Sequence, residues 1–159
     1  MTAPLPDFNP ALDLWFERVV PVPPARVWQA WTRPEQLVKW FTPAPWTTTE
    51  AEIDLRPGGI FRTVMRSPEG ESHDNAGCYL EVVPEQRLVW TDGLLPGYRP
   101  APKPFMTGFL LLAPEGAGTR YTAIARHADP TGKEQHEAMG FAHGWGAALD
   151  QLVAMVRAS

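Results

Sequence analysis

The four histidines, the one cysteine and the scattered carboxylates are where this chain would have to keep any chemistry. His136 opens the run HEAMG, which begins like the zinc-protease motif H-E-x-x-H. A helical zinc site needs two imidazoles one turn apart. Position 140 is glycine, and the next histidine, His143, is seven residues on from His136, roughly 10 Å along a helix axis. Those two cannot share a metal from an intact helix, so no metal is expected and His136 reads as a solvated first-turn residue. His143 lies beside an apolar helical stripe. It is read either as a polar handle for a bound molecule or as a surface or hydrogen-bonded core residue.

The other constellations are weaker. There is no G-x-S-x-G nucleophile elbow, and Cys78 has no base paired with it in sequence, so it reads as a small buried hydrophobe. Glu50, Glu52 and Asp54 alternate as the solvated face of a strand would. The glycine turns RPGG and GAG lack the third glycine and the strand–helix setting of a dinucleotide fingerprint. No catalytic residue and no cofactor are therefore assigned.

Composition narrows the partners. The net charge is −4 with no run of Lys or Arg, which argues against a phosphate-backbone footprint and hence against nucleic acid. No apolar run approaches the ~20 residues that span a bilayer, and the N-terminus lacks the basic start and apolar core of a signal peptide. With a single cysteine, these features lead us to expect a cytoplasmic protein without membrane contact. Hydrophobic residues make up 44% of the 159, including seven tryptophans, so the chain is long enough for one domain with a real core and has aromatic surface to house.

The elements that would position those aromatics follow from punctuation and period. LDLWFERVVPV (Leu12 to Val22) reads as a strand. Two short helices follow: PPARVWQAW starts on Pro24, and TRPEQLVKWF offers Thr32 and Glu35 in capping-box spacing. TTTEAEIDL, IFRTVMR, AGCYLEVV, RLVWTDG, FMTGFLLLA and TRYTAIARHA then read as a meander of strands. Leu95 to Pro104, with four prolines, reads as an extended lid or loop. The chain closes with one long helix, capped by Asp129 or by Thr131 with Glu134. Within it, Met139, Ala142, Trp145, Leu149 and Leu152 form an apolar face. Gly140 and Gly144 share a second stripe, suited to close backbone approach or to a cavity wall, and Gly146 lies off it.

The order β, α, α, antiparallel strands, long helix resembles the START-like helix-grip superfamily (SRPBCC). Within that superfamily it is similar to the family related to the C-terminal domain of the heat-shock-protein-90 ATPase activator, with a looser kinship to polyketide cyclase-like proteins. The matching stretches are VPVPPARVWQAWTRPEQLVKWFTP, DLRPGGIFRTVM, SPEGESHDNAGCYLEVVPEQRLVWT and MGFAHGWGAALDQL. The resemblance implies a single α+β domain over residues 1–159, with its core at about 12–157. In it, a curved antiparallel sheet of about seven strands wraps the C-terminal helix around a cavity. It also makes a homodimer possible.

Alternate positions then supply candidate lining. Phe61, Thr63 and Met65 share one strand face, as do Cys78, Leu80 and Val82, and Leu88 with Trp90; Phe109 and Tyr121 are added from later strands. The expected ligand-binding set is Phe61, Met65, Leu80, Trp90, Phe109, Tyr121, Met139, His143 and Trp145. Such a pocket, apolar with few polar groups, suits a small apolar or aromatic molecule. Two other classes stand beside this carrier: a cyclase or hydrolase on a polyketide-like substrate, using His143 and Tyr121, and a co-chaperone or protein-binding module.

Overall fold

The computed structural model describes residue 5 and residues 7–159. Strand-forming runs rich in aromatic and β-branched residues become β1 (Asp13–Val20), β2 (Thr47–Ile53), β3 (Ile60–Arg66), β4 (Ser72–Val83), β5 (Arg87–Thr91), β8 (Thr107–Glu115) and β9 (Gly118–Arg126). They make one antiparallel seven-stranded sheet in the order β1-β9-β8-β5-β4-β3-β2. β1 and β2 thus lie at opposite edges. The chain crosses between them through α1 (Pro24–Thr32) and α2 (Pro34–Leu37), whose Val27, Trp28, Trp31 and Leu37 are buried.

The proline-rich segment behaves differently from a lid. It forms a two-residue ribbon, β6 (Leu94–Leu95) with β7 (Arg99–Pro100), turning at Gly97 with φ 80°. The Gly97 N–H donates to the Gly58 carbonyl at 2.9 Å, and the Tyr98 ring lies against Gly58. The ribbon is therefore clipped to the β2–β3 turn, and only Lys103, Phe105 and Met106 beyond it reach the cavity described below.

The helix ends also correct two expectations. Thr32 does not cap α2: its hydroxyl is still in the last turn of α1, where it donates to the Trp28 carbonyl at 2.7 Å, and Arg33 takes the cap position without a side-chain bond. The closing helix is two helices, α3 (Pro130–Ala138) and α4 (Phe141–Ala158). Asp129 caps α3 by accepting from the Gly132 N–H at 2.7 Å. Gly140, at φ 87°, ends α3 in the left-handed conformation and starts α4. Open space surrounds the position a Gly140 Cβ would take, so the glycine serves the backbone angle and not a close approach.

Beyond the break, Ala148, Leu149, Leu152 and Val156 of α4 join a core with Val20, Leu88, Leu110, Leu112 and Tyr121 of the sheet. This is the helix-grip arrangement: an α+β architecture with the C-terminal helix laid into an antiparallel sheet. The outer face carries polar ladders; Arg62 of β3 pairs with Glu50 at 3.3 Å and Asp74 at 3.0 Å across its two neighbouring strands.

Candidate ligand cavity

Between sheet and α4 lies a cavity of about 610 Å³. That is within the ~300–1,000 Å³ usual for small-molecule sites.

Its first wall is a cluster of rings. Trp31 stands at the centre, with ring centroids 5.1 Å from both Trp40 and Trp90 and 5.6 Å from Phe41. Phe61 meets Trp90 edge to face at 5.8 Å. Fixed partners hold these rings: the Trp40 indole donates to the Ala30 carbonyl at 3.0 Å, and the Trp31 indole donates to the Tyr121 hydroxyl at 3.1 Å. Gln151 of α4 donates to the Trp40 and Thr42 carbonyls at 2.9 and 2.8 Å, tying the segment after α2 to the helix. Trp90 requires Gly108 opposite it on β8, where a Cβ would stand 2.3 Å from the indole ring.

The second wall lies at the α3–α4 junction. His136 faces the cavity and is 7% exposed, in contrast to the solvated position expected for it. The break at Gly140 sets α3 at its own angle, so the first-turn reading, made for one continuous helix, does not apply. His136 Nδ1 lies 2.9 Å from His127 Nε2, and His127 Nδ1 lies 2.8 Å from the Leu12 carbonyl. Phe105, Phe141 and Trp145 surround the His136 ring at 4.8, 5.2 and 6.2 Å. Burial, and then the neighbouring His127, depress the His136 pKa to about 4, which leaves its ring neutral at pH 7. Burial drives the Tyr121 hydroxyl upward, so it keeps its proton.

Of the expected set, Phe61, Met65, Trp90, Tyr121, Met139 and Trp145 line the cavity, Met139 at its exposed edge. Leu80, Phe109 and His143 do not. An irregularity in β4 between Tyr79 and Glu81 shifts the alternation at Leu80, so Tyr79 opposes Trp90 and Val82 opposes Leu88. Phe109 alternates with the core residues Leu110 and Leu112 and faces away from them, beneath the guanidinium groups of Arg87 and Arg126 at 5.4 and 6.0 Å. His143 is an exposed residue of α4. Gly144 borders the cavity with only Pro43 Cγ, at 3.9 Å, near the site of a Cβ, whereas the tight position is Gly146, 2.7 Å from Arg18 Nη2.

Trp31, Trp40, Phe41, Phe105 and His136 are lining residues that the sequence reading did not select. The buried stripe of α1 carries a signal for Trp31. For His136 the signal is the glycine four residues later, which ends its helix.

A helix gripped by an antiparallel sheet over an aromatic cavity defines the START-like class. The chain belongs to the family described as "Activator of Hsp90 ATPase homolog 1-like protein", whose profile matches residues 21–157. It is similar to a Nitrosomonas europaea protein of known crystal structure, with 47% identity over 94% of this chain and 97% of that one and a TM-score of 0.92. A Rhodobacter sphaeroides protein is 26% identical over 94% and 95% of the two chains, with a TM-score of 0.82. An AHSA1-like protein from Aeromonas hydrophila shares the fold at 22% identity over 92% and 93%, with a TM-score of 0.69. No curated protein compared matches the chain. No helix among the described residues is long and apolar enough to cross a membrane.

Proposed function

We propose that this protein binds one small, largely apolar or aromatic molecule between the sheet and α4. The observation that carries the reading is the lining itself: Trp31, Trp90, Phe61, Phe141 and Trp145 surround a 610 Å³ space with few polar groups among them. Rings held by their own hydrogen bonds and packing form a preorganised apolar surface, which reduces the ordering cost of binding. Tyr121 adds specificity. Its oxygen already accepts from Trp31, so its proton remains for a ligand acceptor. Turnover by His143 finds no support, because that residue lies outside the cavity.

A neutral apolar fluorescent probe such as N-phenyl-1-naphthylamine tests this directly. It should bind at one equivalent per chain and be displaced by small aromatic molecules. Many weak sites, or none in the folded protein, would overturn the reading.

A further inference from the structure

His127 and His136 make an ordered relay whose proton positions follow from its first partner. A carbonyl oxygen only accepts, so the 2.8 Å contact with Leu12 places a hydrogen on His127 Nδ1. In the neutral pair, His127 Nε2 is then the acceptor for His136, and the 2.9 Å contact places the His136 hydrogen on Nδ1. The remaining nitrogen, His136 Nε2, carries a lone pair and has no partner among the described residues. Its ring is more than nine-tenths buried and lines the cavity between Phe105, Phe141 and Trp145.

We infer that the ligand is an aromatic molecule bearing a neutral hydroxyl or N–H group, which donates a hydrogen bond to His136 Nε2 while its ring packs among Phe105, Phe141 and Trp145. This rests on the ligand-binding reading above and narrows it to a chemical class. Binding strips water from Nε2, so a molecule without the donor is disfavoured against an otherwise similar one that replaces that bond. The Tyr121 hydroxyl, with its proton free, adds a donor for a second polar atom on the same molecule. At this end of the cavity the polar requirement is therefore one donor and, secondarily, one acceptor on a largely aromatic frame.

The test compares 2-naphthol with 2-methoxynaphthalene, which keeps the ring and lacks the donor. Wild-type protein should bind 2-naphthol at least about tenfold more tightly, equivalent to about 1.4 kcal/mol. In His136→Phe that preference should vanish while 2-methoxynaphthalene still binds. In wild-type protein, the ¹⁵N resonance of His136 Nε2 should have the shift of an unprotonated nitrogen and should move with 2-naphthol but not with the ether, a readout that needs no variant to fold. Equal affinities, or a protonated Nε2 in the neutral pair, would overturn this inference and leave the ligand-binding reading standing. Binding of neither compound would overturn both.

Discussion

The wall around Trp31, Trp40, Trp90 and Phe61 is closed by ring-on-ring packing and by a glycine that lets an indole lie flat on the strand opposite. The wall around His136, Phe141 and Trp145 is built where a helix breaks. It carries a polar pair, and its rim residues Met139 and Phe105 are 74% and 37% exposed. The first wall keeps one spare polar group, the Tyr121 hydroxyl proton; the second keeps an empty acceptor. Under the proposed function the contrast separates two tasks: the tryptophan wall is the rigid apolar surface, and the histidine wall is the one that would discriminate among ligands.

The strongest way to break that division is at Gly108. Gly108→Val places methyl groups inside the Trp90 indole and should cost about 1–3 kcal/mol or more, read as a lowered denaturant midpoint. Adding Trp90→Leu should recover part of the loss. A tolerated Gly108→Val would show that the first wall is not tightly packed.

The histidine wall should instead show itself through pH. The folded His136 pKa is about 4, against 6.5 for an ordinary histidine. Above pH 6.5 neither state carries the proton and the full stability is present. As pH falls from about 6.5 to about 4, the unfolded chain takes up a proton that the folded chain refuses, so stability declines across that window, by up to roughly 3 kcal/mol. His136→Phe should flatten this part of the profile relative to wild type; identical slopes would show that the ring is not buried neutral.

The two buried tyrosines sharpen the comparison with a smaller effect. The Tyr79 hydroxyl is buried with no partner among the described residues, and its ring stacks on Phe61 at 5.2 Å. Tyr79→Phe should therefore leave stability unchanged or raise it by about 1 kcal/mol, whereas Tyr121→Phe should lower it by a similar amount by orphaning the Trp31 indole. Thermal unfolding of the two variants side by side distinguishes them, and a loss in Tyr79→Phe would contradict the assignment.

Much of this architecture is legible in the sequence because its signals are local. Proline and glycine punctuation marks the hairpins, and alternation places Phe61, Thr63 and Met65 together along the cavity. The errors fall where one residue changes the phase of a pattern. Leu80 sits at a strand irregularity that a strict period of two cannot anticipate, and Phe109 required knowing which face of β8 turns inward. Gly140 had the largest consequence. Read as part of one helix it pairs with Gly144; as a left-handed joint it separates α3 from α4 and brings His136 to a histidine that sequence spacing alone does not connect to it.

The central claim, that the space between sheet and α4 is a ligand site, is tested most directly at Gly144, which borders the cavity and has only Pro43 Cγ, at 3.9 Å, near the site of a Cβ. Gly144→Leu should fill part of that space while gaining roughly 1 kcal/mol of helix propensity. Titrated with the same fluorescent probe as wild type, the variant should keep or raise its unfolding temperature and lose the one-equivalent binding. Unchanged probe affinity in a folded Gly144→Leu protein would place the ligand elsewhere and contradict the account.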